Sequence, residues 1–202
     1  MTEKPWTLRD HEVRQVLTTG ECLVVRPVKP QPEAFGDSDF GTFEWHWTRR
    51  DTTYRPWDDR SCSDLLMTFC PFQPGQRLWV REKWRPVYMT PRPRTEELSV
   101  VQYADGSFNR DDWGGCKVGE TWRSPIFMPR AFSRITLEVT GVRTERVQDI
   151  AYPDIVAEGY PDPNHPYPAR MWYMALWDSI NGKRYPWDSN PWVWVVEFRR
   201  IQ

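Results

Sequence analysis

The residues able to do chemistry in this 202-residue chain are scattered. The candidate metal ligands are His11, His46 and His165 together with Cys22, Cys62, Cys70 and Cys116. A zinc site draws its ligands in close pairs, because neighbouring side chains must converge on one ion, and no pair here has that spacing. Neither a metal nor a cofactor is therefore expected, although Cys62 and Cys70 meeting across a hairpin is left open. A G-x-S-x-G nucleophile turn, a G-x-G-x-x-G turn and a Walker A loop are all absent, so neither serine hydrolysis nor a phosphate-cradling loop is indicated. Two carboxylates stand out: Glu82 closes an apolar run and Glu158 precedes Gly159. Each is read either as an ordinary ion-paired or solvated side chain, or as an acceptor for a ligand. The cations Arg26, Lys29, Arg77, Arg81, Arg85, Arg130 and Arg134 fall at the ends of apolar runs, near Trp79, Trp84 and Trp122 in sequence. Gathered at one barrel mouth they would combine phosphate contacts with base stacking; spacing alone equally allows surface ion pairs.

The elements that must position these groups follow from periodicity. Val13, Val16 and Leu17 predict a short helix capped by Asp10 and stopped by Gly20. Cys22–Arg26 is apolar and β-branched, which predicts a strand, with Pro27 and Pro30 confining its end to an edge or an exit. Phe43, Trp45 and Trp47 alternate with polar residues, and Thr52–Trp57 could return as the second strand of a hairpin. Pro74-Gly75 fits a type II turn leading into a strand at Arg77–Glu82. Residues 85–96, rich in proline, predict a loop; Leu98–Tyr103 a strand; Ala104–Glu120 a loop or hairpin; Thr121–Pro129 another strand. Arg134–Thr140 alternates cleanly and predicts a strand. A short helix opens at Pro153 and closes at Gly159. Ala169–Asn181 predicts an amphipathic helix with Trp172, Ala175, Leu176 and Ile180 on one face, and Trp192–Ile201 the last strand. The order predicts a mostly β protein with packed helices (α+β), closed as a β-barrel.

Composition limits the function classes. Net charge is -1, from 27 basic and 28 acidic residues, so no global field holds a nucleic acid; any such contact needs a local patch or a base-sized pocket. Thirteen tryptophans with a mean hydropathy of -0.73 indicate a packed core carrying long polar connections rather than disorder. No unbroken apolar stretch, Trp192–Val196 included, is long enough to cross a bilayer. A cytoplasmic protein with reduced thiols and no membrane partner is expected.

Several segments taken in order resemble one family: Gly20–Lys29, Cys70–Glu82, Ser124–Val139, Val147–Gly159, and Leu176–Asn181 with Asn190–Val195. Together they resemble the ASCH-domain proteins carried by tailed phages and prophages, within the PUA-like superfamily. The resemblance implies a single PUA-like/ASCH β-barrel domain over residues 1–202, with insertions around 31–65 and 85–120. It also implies a cleft beside Gly20–Arg26 that takes RNA, single-stranded DNA or a modified nucleotide. Arg26, Lys29, Arg81 and Arg130 would meet phosphate or carbonyl groups, Glu158 would accept from a base amine, Glu82 would join the lining, and Trp79 and Trp122 would stack on the ligand or wall the site. One branch of the family hydrolyses N4-acetylcytidine with a Lys and a Thr, two and five residues beyond its glycine, and a Glu before the last helix. Here those positions hold Cys22 and Val25, while Arg26 and Glu158 remain. The expectation is thus a binding protein without a catalytic residue. The alternatives are a nucleoside amidohydrolase acting on an N4-acylcytidine through Glu158 and Cys22, and a factor that binds a host or phage protein in assembly or in blocking host defence.

Overall fold

The computed structural model describes residues 3–35, 44–89, 100–109 and 116–202. In chain order the elements are β1 (Lys4–Thr7), α1 (Asp10–Thr19), β2 (Glu21–Pro27), β3 (Glu33–Phe35), β4 (Glu44–Arg49), β5 (Thr52–Tyr54), α2 (Asp59–Thr68), β6 (Arg77–Arg81), β7 (Trp84–Met89), β8 (Val100–Tyr103), β9 (Cys116–Val118), β10 (Thr136–Arg146), α3 (Tyr152–Ala157), α4 (Ala169–Asn181) and β11 (Trp192–Arg200). The protein is α+β. Five strands hydrogen-bond in the order β1-β6-β10-β11-β2, and two three-stranded sheets have the orders β3-β4-β5 and β8-β7-β9. These are open orders: among the described residues the sheets do not close into the expected barrel. The chain divides into two compact units, each assembled from separated segments.

The first unit comprises Met1–Cys22, Gly75–Val139 and Phe198–Gln202. Its helix α1 starts after Arg9, not with Asp10 as the cap: the Glu12 carboxylate accepts the Arg9 backbone N–H at 2.7 Å. Gly20 ends the helix at φ 78, the left-handed region that a Cβ disfavours. Gly75 takes φ 80, as the second central position of a type II turn requires, and its N–H donates to Val139 O at 2.8 Å. That bond sets β6 against β10 in antiparallel register, with Trp79 opposite Thr136. β1 pairs parallel to β6, Trp6 opposite Val80. The predicted loop after residue 85 is instead β7, which runs through Pro86 with Val101 opposite it. Proline keeps its carbonyl, and Pro86 O accepts the Gly119 N–H at 2.8 Å, so the ladder survives the missing donor. The rest of that predicted loop, residues 90–96, lies outside the described residues. Thr121–Pro129, predicted as a strand, makes one bridge at Arg123 and then turns through a 3-10 helix at Pro125–Phe127, because Pro125 and Pro129 interrupt any ladder. Trp84, Val101, Tyr103, Met128 and Phe132 pack into one buried cluster.

The second unit comprises Leu23–Pro74 and Thr140–Glu197. The expected hairpin is present as β4 and β5, with Trp47 opposite Tyr54. The sequence reading gave no helix at α2; its only local signal is Asp58, whose side chain accepts the Ser61 N–H at 2.7 Å as an N-cap. On α4 the buried stripe is Ala169, Tyr173 and Trp177, an i, i+4, i+8 row, and not the predicted Trp172–Ile180 face. Trp172 and Leu176 flank that stripe half-buried, while Ala175 and Ile180 are exposed. The stripe joins Leu23, Val25, Val147, Ile155, Trp187, Val193 and Val195 in a single cluster.

This reassignment makes a stability prediction. Trp177→Ala removes a side chain left only 3% exposed and should cost about 3–5 kcal/mol in urea denaturation. Ile180→Ala, at 38% exposure, should stay within about 0.5 kcal/mol of wild type. Equal losses would return Ile180 to the core face.

Candidate functional site

Residues 81–85 join β6 to β7 and alternate between buried and outward side chains. Glu82 and Trp84 are buried; Arg81 and Arg85 are half-buried and Lys83 is exposed. A buried carboxylate requires a partner, since an ion taken out of water loses its hydration without recompense. Arg134 supplies it in a two-point contact, Nε to Oε1 at 2.9 Å and Nη2 to Oε2 at 2.7 Å. The same guanidinium donates to Asp105 at 2.8 Å and to Ser107 Oγ at 2.6 Å, and lies 3.9 Å above the Tyr103 ring. Burial pushes the Glu82 carboxyl above the usual range, with Arg134 pulling the other way. Asp105 feels burial too, but the Ser107 hydrogen bonds and Arg134 outweigh it and hold it below its ordinary value. Burial pushes the Tyr103 phenol up to about 12, and its hydroxyl donates to Phe132 O at 2.8 Å.

With Glu82 and Trp84 turned inward, the cations between them lie over tryptophan rings. Arg81 sits 5.0 Å from the Trp79 ring centre; Lys83 and Arg85 sit 5.5 and 4.6 Å from that of Trp122; Arg123 sits 5.1 Å from that of Trp84. Among the described residues none of these four cations forms an ion pair. Among the described residues Arg85 donates to the neutral Gln102 amide at 2.8 Å, and the buried Nε–H of Arg81 finds no acceptor there. Arg130, expected in the same role, differs: it stacks on Trp79 at 5.8 Å but pairs with Glu3 at 2.7 Å. Trp79 itself is buried, which makes it a wall, whereas Trp122 is half-buried.

The first unit also holds a cavity of about 150 Å³ lined by Asp10, Val13, Arg14, Glu82, Ala104 and Asp105. That volume matches a single ring rather than a whole nucleotide. Two of its three carboxylates, Glu82 and Asp105, are already paired with Arg134.

The remaining expected residues belong to the second unit. Glu158 is 2% exposed and its Oε1 accepts the Val25 N–H at 2.7 Å. Arg26 Nη1 donates to Val25 O at 3.2 Å, and Lys29 Nζ lies 6.0 Å from the Tyr185 ring centre. Glu158 and Arg26 thus both engage the Val25 peptide. Cys22, the alternative nucleophile, is buried. Burial pushes the Cys62 thiol up to about 12 and raises Cys70 as well, so neither is a thiolate at neutral pH.

The structure therefore gathers Trp79, Arg81, Glu82, Trp122 and Arg130 in one unit and Arg26, Lys29 and Glu158 in the other. Sequence reasoning missed Lys83 and Arg123. The signal was the strict alternation Arg81-Glu82-Lys83-Trp84-Arg85, which places three cations on one side once a strand continues through it.

Arg134→Met should cost about 3–5 kcal/mol in chemical denaturation, because Glu82 is then buried without its counter-charge. Adding Glu82→Leu should recover much of that loss. A single variant as stable as wild type would mean that Glu82 is held by other groups.

In comparisons with known proteins, no family model, no curated protein and no solved structure matches the chain.

Proposed function

We propose that the chain is a nucleic-acid-binding protein of the phage and prophage ASCH type, on an open-sheet variant of the PUA-like fold, which holds RNA, single-stranded DNA or a modified nucleotide without turning it over. The observation that carries this reading is the strip Arg81, Lys83, Arg85 and Arg123: four cations set over tryptophan rings that find no carboxylate partner among the described residues. A chain of net charge -1 has anions enough to pair its cations, yet among the described residues none is set against these four. A polyanion supplies the missing charge at each position, and a half-buried ring such as Trp122 supplies a stacking surface that tolerates any base. The start of the chain, where α1 passes through Gly20 into β2, supports the family part of the reading. Cys22 and Val25 at the reactive positions support binding over hydrolysis. No helix among the described residues is long and apolar enough to cross a membrane.

Fluorescence anisotropy against a 12-nucleotide single-stranded RNA tests this. Affinity should fall as salt rises from 50 to 200 mM, and Lys83→Ala with Arg123→Ala should flatten the dependence of log K on log salt by roughly 0.7 per cation. Absence of binding by wild type, or a double variant with the wild-type slope, would overturn the reading.

A further inference from the structure

We infer that the Ile126–Phe127 turn is a stacking wedge that enters between bases of the single strand held by the cationic strip, an inference that rests on the nucleic-acid reading above. Ile126 is 62% exposed and Phe127 71% exposed, and they stand side by side at the tip of a rigid turn. Pro125 presets the first position of the 3-10 helix; the Phe127 N–H donates to Ser124 O at 3.1 Å and the Met128 N–H to Pro125 O at 3.0 Å. The base of the turn is anchored. Met128 is buried in the cluster with Trp84, Val101, Tyr103 and Phe132, and its sulfur accepts the Glu82 N–H at 3.4 Å. The turn that carries the two exposed apolar side chains is therefore anchored to the segment that carries Lys83 and Arg85.

Charge selects the occupant. Arg123 lies four residues before Phe127, so its backbone is within about 14 Å of the tip. The Arg123 N–H donates to Trp84 O at 2.7 Å, which fixes this stretch beside Lys83 and Arg85. An apolar tip on the same stretch as cations that find no carboxylate among the described residues fits a ligand that alternates phosphate and planar base. An aromatic tip such as Phe127 stacks on an unpaired base at little entropic cost, since the backbone is already ordered. A membrane surface is less well matched: two apolar side chains on a single turn bury far less than the amphipathic face of an interfacial helix.

The test uses the full chain with a single-stranded oligonucleotide carrying 2-aminopurine, whose emission reports stacking. Wild type should shift that emission on binding. Phe127→Ala should abolish the shift and weaken binding about tenfold or more, with the salt slope unchanged; Phe127→Trp should keep both. Because Phe127 is exposed, the melting temperature of each variant should match wild type, which separates loss of stacking from loss of fold. If wild type binds but Phe127→Ala binds equally well with the same emission, the wedge is refuted and the nucleic-acid reading stands. Phe127-dependent binding to phosphatidylserine vesicles with no binding to the oligonucleotide would refute both.

Discussion

A carboxylate at position 82 can be buried only if a cation is buried with it, and much of the first unit follows from that constraint. Arg134 meets both oxygens of Glu82 and is itself held by Asp105, Ser107 and the face of Tyr103. The pair is not cheap, since both ions lose hydration, and a hydrophobic pair of equal volume would serve stability as well. What it fixes is direction. Glu82 turned inward leaves Arg81 and Lys83 on the other side, and Trp84, also inward, extends the pattern to Arg85.

Stacked arginines occur in both units, and the contrast between them gives the strip its meaning. In the second unit Arg146 lies 4.4 Å from the ring centres of both Trp45 and Trp192, donates to Asn190 O at 3.1 Å and approaches Asp59 at 3.6 Å. Arg143 meets Glu145, Asp154 and Glu197 within 3.3 Å. Those guanidiniums are satisfied and hold the fold together. Arg81, Lys83, Arg85 and Arg123 have the rings but, among the described residues, no carboxylates. Glu158 is the converse case: a residue placed by resemblance in a reactive role has its carboxylate on the Val25 amide.

The sequence was readable where one local rule decided the outcome. The type II turn at Pro74-Gly75 and the stop at Gly20 each rest on a residue type that admits few conformations, and the strand after Arg134 and the span of α4 each rest on one unbroken period. It was unreadable where two rules competed. Pro86 argued for a loop, but its surviving carbonyl let β7 continue; the apolar content of Thr121–Pro129 argued for a strand, but two prolines broke the ladder. On α4 the helical period was plain, yet two neighbouring faces were apolar, and the tertiary partners chose Tyr173 and Trp177. Closure into a barrel was a property of long-range pairing that no local pattern contained. For the site, Glu82, Arg81 and Trp122 were visible as residue types beside apolar runs. The burial of Trp79, the Glu3 partner of Arg130 and the exposure of Phe127 came only from packing.

The most direct measurement is photochemical cross-linking of the chain to a single-stranded RNA containing 5-iodouridine, mapped by mass spectrometry. The strip and its wedge predict adducts at Trp122 and Phe127. Adducts confined to Cys22–Lys29, or none on a complex shown to form, would contradict the assignment of the binding surface to residues 81–85 and 122–127.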